Sequence, residues 1–249
     1  MNVVAFSGGK DSTALALRMA ELGEDFVLLF TPTGNELPDL HAHLRRIVAL
    51  TGRPLVRPAN RALSSWIRHF RALPNFRMRW CTRLIKIEPC VRFLEDVAER
   101  DARWYEQDCC DLPTLIVGLR ADEPEREGLY GDHATYRYPL REWGWGLAEV
   151  WGYLGQRGID VPRRTDCALC YGQRLSEWWT LWRDHPTEYA KGERWEDATG
   201  FTFRSRGRDS WPAALRDLRA EFEKGRRPRG ADDEDALFDN GGRCRVCVA

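Results

Sequence analysis

The feature that most constrains this chain is a short polar turn, Ser7-Gly8-Gly9-Lys10-Asp11-Ser12, between an apolar run and a helical pattern. Residues 2–6 form a compact apolar run typical of a buried strand, and apolar side chains recur at helical spacing over residues 12–22. A glycine turn in this position directs several backbone N–H groups and the positive end of a helix dipole at one point. The pattern therefore predicts an anion-binding site.

The residue types of the turn suit a phosphate group in particular. The two glycines let the backbone approach closely because they carry no Cβ atom. The two serines offer hydroxyl donors, and Lys10 offsets the phosphate charge. The alternative is a plain glycine turn capped by one of the polar residues that follow. The position directly after a first strand and before a helix favours the phosphate site.

Apolar runs and helical patterns alternate along the first half of the chain. We predict further strands at residues 26–30, 54–58 and 114–118, and helices at 12–22, 38–50, 63–70 and, despite Pro89, 83–100. This order implies parallel strands joined by right-handed crossovers. The sequence therefore predicts an α/β fold with an open, doubly wound parallel sheet. Ligands are expected beyond the carboxyl ends of its strands, where the turns after residues 6, 30 and 117 lie.

Composition divides the chain into three predicted parts. Residues 1–142 carry the alternating pattern and form the nucleotide-binding α/β domain. Residues 143–223 are rich in Trp, Arg and charged residues and contain a first CxxC pair, which indicates a helical and irregular part. Residues 224–249 have few apolar side chains and end in a second CxxC pair, so we expect a flexible tail.

The net charge excludes a strong global field. Lys and Arg total 38, as do Asp and Glu, so nothing pulls the whole protein toward nucleic acid or membrane. Arginine-rich stretches at residues 71–83 and 204–208 are candidates for local phosphate-binding patches, although solvated surface is their default interpretation. No apolar stretch approaches membrane-spanning length, and no leader segment is evident. We therefore expect a cytoplasmic protein without a membrane partner.

Four segments carry a resemblance to a known family. The turn resembles the SGGxDS signature of the PP-loop ATP pyrophosphatase, or adenine nucleotide α-hydrolase, superfamily, and differs from a Walker loop because Asp11 follows Lys10. Three later segments are similar to phosphoadenosine phosphosulfate (PAPS) reductase-like proteins: Thr31–Glu36, with Pro32 at a usual Asp position; Arg79–Arg83 with Lys86 and Pro89; and Gly118–Glu123 with Arg126. Residues 138–151 continue the likeness, which covers about residues 1–170.

The complete phosphate turn departs from true PAPS reductases, which have a shortened loop and a C-terminal ECGLH-like segment that this chain lacks. The resemblance therefore lies nearer to ATP-using relatives that transfer sulfur. It implies ATP with its phosphates on residues 7–12, Mg²⁺ on the β and γ phosphates with Asp11 as a candidate ligand, and cleavage next to the α-phosphate. The implied catalytic residues are Lys10, Asp11, Lys86 and Arg120, and the further nucleotide contacts are Thr33, Gly118 and Arg126.

The implied partners are an adenosine nucleotide, a nucleic-acid or small-molecule acceptor, and a sulfur donor protein. Two alternatives stay open. One is a sulfonucleotide reductase that acts on PAPS through a cysteine thiol. The other is a protein that binds a nucleotide without turning it over.

The eight cysteines are not expected to form structural disulfides in a reducing compartment. Cys167 and Cys170 lie within reach of one metal centre. By resemblance to thiolation enzymes, Cys81, Cys167 and Cys170 hold a [4Fe–4S] cluster, with Cys244 or Cys247 as a possible fourth ligand. A Zn²⁺ site built from the two CxxC pairs is the alternative, and free or redox-active thiols are a third.

Structural roles are expected for several other residues that have metal-binding or stacking side chains. We predict that Cys90 lies in the core and that Cys109 and Cys110 are incidental thiols. His41 and His43 are expected to be solvated or to cap a helix. Tryptophans at helical spacing are expected in the core: Trp178, Trp179 and Trp182.

Overall fold

A five-stranded parallel sheet forms the centre of the protein. The computed structural model describes residues 1–105, 112–127 and 131–231. The sheet has the order β3-β2-β1-β4-β5, and every neighbouring pair is parallel. The strands are β1 (Asn2–Ala5), β2 (Val27–Leu29), β3 (Leu55–Val56), β4 (Thr114–Ile116) and β5 (Thr135–Arg137). The predicted doubly wound α/β fold is confirmed.

Nine α-helices and one π-helix surround the sheet in the described ranges. They are α1 (Lys10–Glu21), α2 (Pro38–Thr51), α3 (Leu63–Phe70), the π-helix (Thr82–Ile87), α4 (Glu88–Tyr105), α5 (Pro139–Glu142), α6 (Leu147–Gln156), α7 (Leu175–Asp184), α8 (Pro186–Thr199) and α9 (Leu215–Glu223). The helix predicted at residues 83–100 therefore starts as a π-helix. Pro89 is the second residue of α4 inside this continuous helix, and its missing N–H coincides with the change from π-type to α-type hydrogen bonding.

Side chains alternate between the two faces of the sheet, as strand geometry requires. One face packs against α1, α2 and α6 through Val4, Leu28 and Ile116. The other packs against α4 through Val3, Leu29 and Leu115. Cys90 lies buried on this second face, which confirms its predicted core position. The sheet is thus covered on both sides, and its strand ends stay available for a site.

Helices α3, α7, α8 and α9 enclose a second hydrophobic cluster. Trp178 and Trp179 are buried in it and Trp182 packs against it, so their predicted core role is confirmed. Helix α6 begins just after the predicted boundary at residue 142 but packs on α1. The three-part division stays a prediction. None of the helices in the described ranges is both long and apolar enough to cross a membrane.

Glu196 connects α8 to the two segments that follow it. Its carboxylate accepts hydrogen bonds from the backbone N–H groups of Phe203, at 2.8 Å, and Leu215, at 2.6 Å. Burial raises the pKa of Glu196 from 4.5 to about 7, although both backbone donors oppose the shift. The folded protein therefore holds a proton here that the unfolded chain releases.

We expect this carboxyl to make stability fall as pH rises. Its contribution is complete below pH 4.5 and is lost as pH rises to about 7, since only the unfolded chain ionises in that window. Denaturant unfolding across this range should show a loss of up to about 3 kcal/mol. Glu196→Gln, which cannot ionise, should flatten the slope. An equal slope in both proteins would contradict the assignment.

Candidate functional site

The candidate site lies between β1 and β4, where the order of the strands in the sheet changes direction. From β1 the chain passes to β2 on one side, and the sheet continues to β4 on the other. The loops that follow β1 and β4 therefore diverge and leave a crevice beyond the carboxyl ends of these strands, the usual ligand position in such sheets. The turn at residues 7–12 follows β1, and residues 118–120 follow β4.

The backbone of the turn requires glycine. Gly8 has φ +76°, in the left-handed region, and a Cβ there would lie 2.5 Å from Leu40 Cδ1. Gly9 is the N-cap of α1, so the amides of the turn are the first N–H groups of that helix. The hydroxyls of Ser7 and Ser12 lie 3.3 Å apart. The predicted residues thus meet at one helix N-terminus, which is suited to an anion.

Arg120 lies beneath the turn with a side chain only 1% exposed. Its guanidinium bonds Asp11 at 3.2 Å, Asp122 at 2.8 Å and Glu123 at 3.3 Å. The sequence predicted a group that stabilises charge in the reaction. The structure instead commits its donors to three carboxylates, so Arg120 acts on the turn by holding Asp11 in place. Its catalytic role stays a prediction.

Lys10 and Arg126 belong to the same ionic network. Lys10 Nζ lies 2.9 Å from Asp11 Oδ2, and Arg126 Nη1 lies 2.6 Å from Glu123 Oε1. Burial lowers the pKa of Lys10, Arg120 adds to that effect, and Asp11 opposes it. A cation with little water around it interacts strongly with an incoming anion. The network brings together residues from both loops of the crevice.

His43 was assigned a solvated or capping role, and the structure shows that this is wrong. The ring is 5% exposed, and Nε2 lies 3.0 Å from Thr13 Oγ1 in the first turns of α1. Burial lowers the pKa of His43 to about 4, so the ring is neutral. Leu40 and Ile47 share its face of α2 at spacings of three and four, and this spacing is the signal that sequence reasoning missed.

Gly118 is the point where the two loops touch. A Cβ there would lie 3.3 Å from Asp11 C and from Ser12 N, which are backbone atoms of the phosphate turn. A methyl group at this position therefore requires the backbone of the turn to shift by a few tenths of an ångström.

We expect Gly118→Ala to reduce nucleotide turnover by up to about 10-fold, since a shift of a few tenths of an ångström is smaller than the error of about 1 Å that costs about 100-fold. Gly152→Ala is the matched control. It lies on an exposed face of α6 with open space around it, and it should raise stability by up to about 1 kcal/mol without changing turnover. Steady-state rates and melting curves of both variants test this. If Gly118→Ala turns over nucleotide at the same rate as Gly152→Ala, the proposed steric role of Gly118 is wrong.

A second cavity contains the three predicted cysteine ligands of the described chain. Cys81, Cys167 and Cys170 all line it, together with Thr33 and Lys86. The thiol of Cys167 donates to Thr33 Oγ1 at 3.2 Å. Lys86, on the π-helix, thus lines the cavity that contains the cysteines. Thr33, a predicted nucleotide contact, lies at the same cavity.

The cysteine geometry does not by itself make a metal site. Within the described ranges, no group of three or more His, Cys, Asp or Glu side chains is arranged to hold a metal ion. Burial raises the pKa of Cys167 to about 12, with Lys86 opposing, whereas metal binding needs a thiolate. Cys244 and Cys247 lie outside the described residues, as do Cys109 and Cys110. The cluster and the zinc site stay predictions.

A glycine turn that begins a helix at the switch point of a parallel sheet is typical of nucleotide-binding α/β proteins, the PP-loop type among them. Residues 1–163 match the model of the phosphoadenosine phosphosulfate reductase domain, and the chain belongs to that family. The resemblance predicted from the sequence is confirmed.

A relative from Methanocaldococcus jannaschii, an uncharacterized protein, is 25% identical over 212 residues, which is 78% of this chain. The chain spans 40% of that relative's length.

Three solved structures are similar to this chain at low identity. PAPS reductase from Candida auris, in a phosphate complex, has a TM-score of 0.49 at 16% identity, over 64% of this chain and 74% of that one. NMN synthetase from Francisella tularensis has a TM-score of 0.42 at 15% identity, and the match covers 91% of this chain and 87% of that one. A predicted subunit of tRNA methyltransferase from Methanocaldococcus jannaschii has a TM-score of 0.30 at 18% identity, and the match covers 64% of this chain and 89% of that one. Likenesses this distant say nothing specific about function.

Proposed function

We propose that this protein binds ATP in the crevice between β1 and β4 and catalyses substitution at its α-phosphate. The observation that carries the proposal is the position of the residue 7–12 turn, whose amides begin α1 at the switch point beside the buried Lys10. Membership of the family supports an adenosine nucleotide as the ligand. The glycine at 118 keeps the facing loop in contact with the turn.

The chemistry begins with an oxygen of the acceptor. This oxygen attacks the α-phosphorus, the bond from that phosphorus to the bridging oxygen breaks, and pyrophosphate leaves. Charge accumulates on the leaving group, where the turn amides and Lys10 stabilise it. The products of this step are pyrophosphate and an adenylated acceptor.

Mg²⁺ would neutralise charge on the β and γ phosphates when it is bound. Asp11 is the candidate carboxylate for it, since its side chain is 20% exposed at the turn. Asp11 already accepts from Lys10 and Arg120, so a metal ion competes with two cations for this group, directly or through a water molecule.

The cysteine cavity supports sulfur transfer as the second half of the reaction. In this proposal one thiolate attacks the outer sulfur of a persulfide on a donor protein, the S–S bond of the donor breaks, the donor thiolate leaves, and the cysteine becomes a persulfide. Its terminal sulfur attacks the activated carbon, and AMP leaves with the acceptor oxygen. A second cysteine thiol breaks the S–S bond, which leaves a disulfide that an external dithiol reduces. Three cysteines that line one cavity supply the thiols for these steps.

Labelled ATP tests both halves of the proposal separately. Wild-type protein with the correct acceptor should release pyrophosphate and yield a thiolated product. Cys167→Ser should release pyrophosphate at close to the wild-type rate but form no thiolated product, because Cys167 lines the cysteine cavity and is not part of the residue 7–12 turn. Cys90→Ser, at a buried thiol of the core, is the control for general loss of structure.

Other outcomes would identify the alternatives. Release of sulfite from PAPS with a dithiol reductant, and no consumption of ATP, would indicate a sulfonucleotide reductase. Tight ATP binding without pyrophosphate release, with nucleic-acid and small-molecule acceptors alike, would indicate a nucleotide-binding protein without turnover.

A further inference from the structure

A second cleft lies away from the phosphate turn, between residues 75–77 and residues 200–206. We call it the aromatic cleft, defined by Phe76, Arg77, Phe201 and Arg206. Phe76 and Phe201 are each 51% exposed. Exposed apolar side chains that lie together and are rimmed by polar residues often mark an interaction site. Two of them therefore mark the cleft as an interaction surface.

The charge at the aromatic cleft is locally positive. Arg77 and Arg206 are exposed, and no salt bridge joins either to a carboxylate within the part of the chain that the structure describes. The nearby Asp209 is already bonded by the buried Arg204, at 2.8 and 3.0 Å. The guanidinium of Arg208 lies 5.9 Å from the centre of the Phe76 ring. Exposed arginines thus lie beside exposed rings at this cleft, while the protein as a whole has zero net charge.

The aromatic cleft adjoins the cysteine cavity. The Phe76 ring packs edge-to-face on Tyr171, with centroids 5.0 Å apart. Tyr171 also lines the cysteine cavity, as does Pro74, two residues before Phe76. A chain lying along the cleft therefore passes beside the wall of the cavity that holds Cys81, Cys167 and Cys170.

We propose that the aromatic cleft binds single-stranded nucleic acid. Arginines that face solvent contact the phosphates, and exposed rings stack on unpaired bases, which is the combination that single-strand sites use. A duplex fits poorly because its bases are already stacked on each other. The role of this strand as the acceptor of the activated oxygen and the sulfur rests on the proposed function, whereas the binding itself does not.

Fluorescence anisotropy with labelled single strands of about 12 nucleotides, RNA and DNA, tests the proposal. The double variant Arg77→Gln, Arg206→Gln should make the dependence of the binding constant on salt less steep. The slope of log K against the logarithm of the salt concentration should shrink in magnitude by about 1.4, since each phosphate contact on a single strand contributes about 0.7. Phe76→Leu with Phe201→Leu should weaken binding about 5- to 100-fold, because leucine keeps apolar surface but cannot stack. The matched control is Arg45→Gln with Arg92→Gln, two exposed arginines on α2 and α4, which should leave affinity and slope unchanged.

Three outcomes would overturn the proposal. The first is no binding of any single strand at about 50 mM salt. The second is equal loss in the control pair. The third is equal affinity for a duplex or an acidic polypeptide with no effect of the leucine variants, which would indicate a charged patch for another partner. Calorimetric titration of the same variants with ATP separates the two proposals. A variant that loses nucleic-acid binding but still binds ATP reports on the aromatic cleft alone.

Discussion

Arg120→Met should lower the free energy of unfolding by about 3 kcal/mol, because it leaves the buried Glu123 and the partly exposed Asp11 and Asp122 without their shared cation. The guanidinium bonds Asp11, Asp122 and Glu123, and the Glu123 side chain is only 2% exposed. Lys10 and Arg126 remain as partners of Asp11 and Glu123, which places the effect at the low end of the range for broken buried pairs. Methionine fills similar volume, so lost charge and not a cavity dominates.

Denaturant unfolding measures this effect against a matched control. Arg216→Met removes an arginine from an ion pair with Asp197 whose side chains are 63% and 54% exposed, and it should cost at most about 1 kcal/mol. Adding Asp11→Asn to Arg120→Met should recover part of the loss, because it removes one uncompensated charge. If Arg120→Met and Arg216→Met cost the same, the network does not hold the two loops together.

Lys10→Met should reduce pyrophosphate release about 100- to 1,000-fold, the loss typical when one preorganised charge donor is removed. The side chain is 3% exposed and lies at the N-terminus of α1, next to the proposed phosphates. Burial already lowers the pKa of Lys10, so the neutral replacement should be tolerated with little change in melting temperature. The substitution should therefore lower the rate of pyrophosphate release and leave the melting temperature nearly unchanged.

Single-turnover rates with excess enzyme separate this loss from weaker ATP binding. Lys224→Met, at a lysine 70% exposed on the surface, is the control and should behave as wild type. A wild-type rate in Lys10→Met would exclude Lys10 from the reaction. A collapsed melting curve would show that the lysine is structural.

The elements that were predicted well are those whose pattern lies within a short stretch of the sequence. The strand, turn and helix over residues 2–21 follow from apolar periodicity and two glycines, and they form as expected. The edge strand β5 was missed, since three residues with partly exposed side chains carry no apolar signal. The π-helix was also missed, because helical periodicity does not distinguish its wider turn from an α-helix.

The site was predictable in its parts but not in its connections. The sequence identified Asp11 and Arg120, but their pairing joins residues 109 positions apart and depends on the strand order. Sequence reasoning grouped Lys86 with the reaction at the phosphate, whereas the π-helix carries it to the cysteine cavity. The buried contact between His43 and Thr13 likewise arises only when α1 and α2 pack together. Tertiary packing decides these partners.

The most direct test of the account is calorimetric titration of the intact protein with ATP and Mg²⁺. We expect one ATP to bind per chain, with competition by pyrophosphate, and Gly8→Val to abolish binding, since its φ of +76° and the contact with Leu40 leave no room for a side chain. If neither ATP nor any other adenosine phosphate binds to the wild-type protein, the turn at residues 7–12 is not a nucleotide site.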